Sequence, residues 1–212
     1  MEFEIFRNRI PKLKKMALPG EDAHRKLAPL IRINELNNLD MSKLTPSQAG
    51  VMAIFYPGED KQTRLVLILR KTYKGVHSNQ VGFPGGRIEV EDKDLEETAL
   101  RETEEEVGIH RNDIEVLKKL TKLYIPPSNF WVQPYLGILH KTPKMIPQET
   151  EVEAILEVKL SEFLNDQSMI TENLSTYYAN NIEVPAYKLN GHVVWGATGM
   201  MLSEIRELLL KI

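Results

Sequence analysis

The sequence predicts an α+β fold in which helices cover a β-sheet, and three observations predict it. Short apolar segments bounded by turn residues, as at 51–56 and 64–69, have the length and composition of strands. Residues 95–107 instead carry apolar side chains at helical spacing. The two kinds of segment intermix along the chain, which favours a sheet covered by helices over a bundle or a sandwich.

Taken in order, residues 1–45 mix charge with short apolar groups and read as an N-terminal extension packed on the domain. Within it, 21–32 reads as one amphipathic helix, followed by turn-rich 34–47. Segments 51–56 and 64–69 read as buried, paired strands. Residues 71–86, rich in Gly, Asn, Ser and Pro, form a loop that feeds the helix at 95–107. Further strands are expected at 114–124, 132–139 and 152–158, and a last helix at 198–210. No internal repeat is evident. With 212 residues and 42% hydrophobic content, residues 46–212 are expected to form one domain.

Composition excludes several functions. The 27 basic and 30 acidic residues leave a net charge of −3, with no basic block to neutralise a nucleic-acid polymer. The first residues carry acids and no apolar run, unlike a secretory signal. The longest apolar runs fall far short of the ~20 residues a membrane helix needs. No cysteine is present, which is compatible with a reducing compartment. A cytoplasmic protein acting on a small molecule is expected, with no membrane partner; a homodimer is compatible with the chain.

The helix at 95–107 carries the chemistry. Asp94 with Glu97 forms a capping-box pattern at its start, and Gly108 marks its end. At roughly 100° per residue, Leu95, Ala99, Thr103, Val107 and Leu100 fill an arc of about 140° that must meet the sheet. On the same wheel Glu106 points along this buried stripe, and Glu102 and Glu105 stand at its edge. Three carboxylates at i, i+3 and i+4 repel one another, and burying one requires compensation, for which a hard divalent cation is economical. The alternative is that Glu104, Glu105 and Glu106 form a solvated acidic face, and Glu104 obeys that pattern. Arg101, one turn before Glu105, is placed to orient it.

Gly86 together with Arg101-Glu102-Thr103-Glu104-Glu105-Glu106-Val107-Gly108-Ile109 closely resembles the Nudix box, whose core reads Arg-Glu-apolar-x-Glu-Glu-x-Gly-apolar. Upstream, His77-Ser78-Asn79-Gln80-Val81-Gly82-Phe83-Pro84-Gly85-Gly86 is similar to the signature of the coenzyme A pyrophosphatase branch. Further similarity at Pro127 to Phe130, Glu151-Val152 and Trp195 to Thr198 extends the resemblance over most of residues 50–205. Three departures stand out. Lys93 occupies the box's usual Glu position, with Asp92 one place earlier; Asn79 replaces a glycine, though Asn also tolerates left-handed backbone; Thr103 replaces an apolar residue.

The resemblance implies the Nudix fold, a mixed β-sheet sandwiched between α-helices. It implies that Glu102, Glu105 and Glu106, with the Gly86 carbonyl, hold Mg²⁺ or Mn²⁺. It further implies that a water activated there attacks a diphosphate, with Glu102 or Glu105 as proton acceptor and Glu151 as a third candidate. Arg101 completes the catalytic set. Coenzyme A would be cleaved to 4′-phosphopantetheine and adenosine 3′,5′-bisphosphate. Arg70, Lys71 and Lys74 are candidates for the 3′-phosphate, and His77, Gln80 and Phe83 for other substrate contacts. Each has a structural alternative: a solvated basic turn for the three cations, an exposed loop side chain for His77, a turn-shaping role for Phe83. Trp195 reads either as a ring for adenine or as core. Two alternatives remain beside coenzyme A hydrolysis: a Nudix hydrolase of another nucleoside diphosphate derivative (nucleotide sugar, dinucleotide or modified nucleotide), and a catalytically silent Nudix binding module.

Overall fold

A computed structural model describes residues 1–33, 44–72, 79–174 and 182–212. Its central strand is β1 (Ser47–Pro57). Along β1, Ala49, Val51, Ala53 and Phe55 face one side while Met52, Ile54 and Tyr56 face the other, and both sets are buried in separate clusters. A strand apolar on both faces needs cover on both, and two helical layers provide it. Flanking β1 are β2 (Thr63–Arg70), β3 (Val81–Gly82), β4 (Gly85–Arg87), β5 (Glu115–Lys119), β6 (Leu123–Ile125), β7 (Phe130–Ile138) and β8 (Val152–Lys159). β1 runs parallel to β7 from Ser47 opposite Phe130 to Phe55 opposite Ile138, and the other pairings are antiparallel, so the sheet is mixed.

The way β1 and β2 part creates the site. They pair only where Phe55, Tyr56 and Pro57 meet Leu65, Arg64 and Thr63. Beyond that point the 81–87 segment fills the gap, β3 pairing with Ile68 and Leu69 of β2, and β4 pairing with Ala49 to Val51 of β1. Gly85 and Gly86 therefore sit in the middle of the sheet.

On one face lies α3 (Leu95–Val107), whose Ala99 and Val107 join Met52, Ile54 and Val66. The Asp94 side chain accepts from the Glu96 and Glu97 amides, each at 2.9 Å, and Gly108 closes the helix at φ +72°. On the other face lie α1 (Phe3–Lys15) and α5 (Gly196–Leu209), with α2 (Glu21–Lys26) beside α5. A short α4 (Leu160–Phe163) follows β8. A second antiparallel sheet of β9 (Met169–Leu174), β10 (Ile182–Leu189) and β11 (His192–Trp195) precedes α5. No helix among the described residues is long and apolar enough to cross a membrane.

Several expectations are corrected. Residues 21–32 do not form one helix: α2 ends at Lys26, and Pro29, which lacks an amide hydrogen, separates it from a further turn at 30–33. The strand expected at 114–124 is two, β5 and β6, split where the Thr121 amide turns to the Glu204 carboxylate at 3.1 Å. The last helix begins at Gly196 rather than 198. The loop at 71–86 contains β3 and β4. Helix α1 and the second sheet were not expected, although Phe3, Phe6, Ile10 and Leu13 carry helical spacing. Of the turn-rich segment at 34–47, residues 34–43 lie outside the described residues.

Candidate active site

Three glycines let carboxylates from one layer reach a cleft in the other. At Gly50 a Cβ would overlap the Leu95 carbonyl, so α3 lies directly against the β1 backbone. At Gly86 a Cβ would overlap the Glu102 carboxylate, which occupies that space instead. Gly85, at φ +147° and against the Gly50 carbonyl, adopts a backbone only glycine holds without strain. Through this gap Glu102 and Glu106 line a cleft of about 420 Å³ that also borders Glu151.

Glu106 is the deepest of the acids, at 2% exposure. Its Oε2 accepts from the Gly85 amide at 2.8 Å, and its Oε1 stands 3.3 Å from Nη2 of Arg70. Arg70, the last residue of β2, pairs with Val152 of β8 just past a register shift after Leu69, and its Nη2 also donates to the Gly85 carbonyl at 2.8 Å. Burial pushes the Glu106 carboxyl up to about 7; Arg70 and the Gly85 amide oppose this, while the charges of Glu102 and Glu151 add to it. Burial raises Glu102 as well, against the pull of Arg101 and with the repulsion of Glu105 and Glu151. The acids thus sense one another across the cleft.

Arg101 organises this wall from behind. Its Nε and Nη2 hold both oxygens of Asp92 at 2.9 and 3.0 Å, a bidentate pair. Its Nη1 donates to Glu102 at 3.0 Å and to Glu105 at 3.2 Å, and Nη2 also reaches the Arg87 carbonyl at 3.1 Å. The i, i+4 contact with Glu105 is present, but Asp92 is the main anchor.

The structure therefore gathers Glu102, Glu106, Glu151 and Gly86 at one cleft, with Arg70, Gln80 and Phe83 on its walls and Arg101 behind. It does not bring Glu105 or Lys71 to the cleft lining: the Glu105 side chain is 56% exposed beside Arg101, and the Lys71 amide donates to the Glu151 carbonyl at 2.8 Å. Lys74 and His77 lie outside the described residues. Asn79 stands at φ +56°, a left-handed conformation that asparagine tolerates and that suits the glycine of the signature this run resembles. Glu104 faces Arg111 at 2.7 Å, away from the cleft. Trp195 precedes α5 and lines the cleft, half-buried. Sequence reasoning missed Arg87, which its place directly after Gly86 could have suggested. It also missed Arg32, which only tertiary folding brings to the cleft.

Among the described residues no group of three or more His, Asp or Glu side chains closes around a common point in this arrangement. The donor chemistry nevertheless fits a hard cation: the cleft carboxylates repel one another, and Glu102 rests on a glycine where a side chain would displace it.

The NUDIX domain model matches residues 46–176. The chain is 32% identical over 150 residues to an uncharacterized Nudix hydrolase NudL of Photorhabdus laumondii subsp. laumondii, covering 68% of this chain and 75% of that protein. It is 34% identical over 135 residues to Nudix hydrolase 15, mitochondrial, of Arabidopsis thaliana, covering 63% of this chain and 47% of the relative. It is 27% identical over 150 residues to the peroxisomal coenzyme A diphosphatase ndx-8 of Caenorhabditis elegans, covering 70% and 64%. The chain spans about half the length of the Arabidopsis relatives it matches. A MutT/nudix family protein from Enterococcus faecalis shares the fold at a TM-score of 0.52 and 19% identity, over 93% of this chain and 75% of that one. A mixed sheet opened by a glycine turn, an acidic helix lying against it and a family match over more than half of the residues together mean that this chain belongs to the Nudix hydrolase superfamily.

Proposed function

We propose that the protein is a divalent-metal-dependent pyrophosphohydrolase that cleaves coenzyme A or its derivatives to 4′-phosphopantetheine and adenosine 3′,5′-bisphosphate. The observation that carries this reading is that Glu102, Glu106 and Glu151 line one cleft together with the Gly85–Gly86 turn. Coenzyme A as substrate is supported by the nematode relative named as a coenzyme A diphosphatase and by the run at residues 77–86.

Members of the family generally use a divalent metal. Here Glu102 and Glu106, with the Gly86 carbonyl, would hold Mg²⁺ or Mn²⁺, and Glu105 would join them by turning its exposed side chain from Arg101 toward the cleft. Such an ion supplies neutralisation of the diphosphate oxygens and acidification of a water nucleophile. The protein's own groups do the rest. Arg101 fixes Glu102 and Glu105 as proton acceptors, with Glu151 a third from the segment before β8. The side-chain-free turn admits a diphosphate close to the backbone. Phe83 and the apolar walls exclude water and so strengthen each charge interaction within. Arg70 neutralises Glu106 and so acts on the carboxylate wall rather than on a distant phosphate.

The test is incubation with coenzyme A and Mg²⁺ or Mn²⁺, identification of products by mass spectrometry, and comparison of kcat/KM over nucleotide sugars, dinucleotides and modified nucleotides. Coenzyme A is expected to be preferred, and Glu105→Gln to lower kcat by about a hundredfold or more with little change in unfolding midpoint. Turnover that survives a chelator or that substitution, or a preference for another compound, defeats the reading.

A further inference from the structure

Resting on the reading that the substrate is a diphosphate, we infer that Arg87 is a substrate-binding residue whose guanidinium holds the ionised diphosphate oxygens from the floor side of the cleft. The backbone of Arg87 is fixed. It ends β4 opposite Ala49 of β1, its carbonyl accepts from Nη2 of Arg101 at 3.1 Å, and the next amide, that of Ile88, donates to the Gln48 carbonyl at 3.0 Å. Residues directly opposite one another in an antiparallel pair project to the same face, so Arg87 shares the face of Ala49, which stands beside Val132 of β7. All three line the cleft. Gly86, the residue before, presents the opposite face, where the Glu102 carboxylate rests. The glycine turn thus has a carboxylate on one side and a guanidinium on the other.

The partners of the cleft arginines separate their roles. Arg32 donates to the Tyr124 carbonyl, and Arg70 donates to the Gly85 carbonyl beside Glu106. The Arg87 side chain is exposed and, among the described residues, makes no hydrogen bond or ion pair. Charge gives it a task. Glu102, Glu106 and Glu151 line the same cleft, and an anion entering beside them is repelled unless cations outweigh them. Arg70 is committed to Glu106, and a divalent ion at the acids is offset by the acids themselves, so the charge of the diphosphate needs a further cation. A guanidinium suits it, because its donor fork matches a pair of phosphate oxygens. Consecutive Cα atoms lie about 3.8 Å apart, less than the length of an arginine side chain, so a group seated on the Gly86 carbonyl is within reach of Arg87.

Calorimetric titration with α,β-methylene-adenosine diphosphate, whose diphosphate cannot be cleaved, tests the contact without turnover, and adenosine is the control that lacks the group. In the presence of Mg²⁺, Arg87→Met should weaken the analogue about tenfold and adenosine by less than about twofold, with Arg87→Lys between. The difference should shrink as salt is raised, because the side chain is exposed. Mn²⁺ titrated into the protein alone should bind Arg87→Met no more weakly, since the guanidinium bonds to none of the cleft carboxylates. With coenzyme A the loss should appear as a rise in KM rather than a fall in kcat. Thermal melting checks the fold, and the lysine variant carries the test if the methionine variant melts early. Unchanged analogue binding in Arg87→Met, or an equal weakening of adenosine or Mn²⁺, overturns the inference. A weakened analogue in a protein that does not cleave coenzyme A keeps the Arg87 contact and defeats the coenzyme A reading, whereas coenzyme A turnover with KM unchanged by Arg87→Met does the reverse.

Discussion

Asp92 shows how a single residue shapes the site without lining it. The Arg101 guanidinium holds the Asp92 carboxyl down at about 2, against burial and with help from the Glu89 amide and the Thr98 hydroxyl. A carboxyl lowered from 3.8 stabilises the fold fully above about pH 4, and that contribution fades as pH falls toward about 2. Asp92→Asn is therefore expected to cost about 2 kcal/mol at pH 7, and the difference from the unmodified protein should shrink below pH 4. Denaturant titrations at pH 7 and pH 3 measure this; equal losses at both would contradict it. Activity should also fall, because Arg101 would lose the anchor from which it holds Glu102 and Glu105. The Arg101–Glu105 contact is legible in the sequence, since helical spacing alone sets it. The Asp92 contact is not, because it depends on the path of the loop between β4 and α3.

Helix α3 and the glycines beneath it separate stability from activity at the scale of an element. Its periodicity and caps are strong local signals, and its bounds and its buried Glu106 follow from them, whereas Glu104, placed by the wheel on the solvated side, is half-buried against Arg111, and Glu105, placed at the stripe's edge, is the exposed one. The wheel cannot say how near the helix lies to β1, because that is set by Gly50 on another strand. Gly50→Ala would press a methyl into the backbone of Leu95 and Ala99, which cannot yield without lifting α3. A loss of about 1–3 kcal/mol is expected. Gly86→Ala meets only the end of the Glu102 side chain, which can swing away, so stability should change little while kcat falls steeply. Unfolding midpoints and kcat measured on both variants check the contrast. If Gly86→Ala keeps full turnover, Glu102 does not act from its place on the turn.

The whole molecule closes through its ends. Strands buried on both faces, such as β1, were legible from their apolar runs, whereas β9 to β11 were not, because half-exposed strands with Thr, Glu and Pro lack a clean alternation. The N-terminal segment is more deeply integrated than its mixed composition suggests. Phe6 is fully buried with its ring centroid 5.2 Å from that of Phe55 on the central strand, and Glu204 of α5 accepts from the Gly20 and Thr121 amides beside His24 of α2. The main core on that face includes α1, β1 and α5 side chains in one cluster. If this cluster is one cooperative unit, truncating its N-terminal contribution must weaken the entire fold rather than release a local segment. Phe6→Ala is accordingly expected to lower stability by about 3–5 kcal/mol while unfolding remains a single transition by both fluorescence and circular dichroism. Two separated transitions, the first carrying only helical signal, would instead mean that α1 docks on a domain that stands without it.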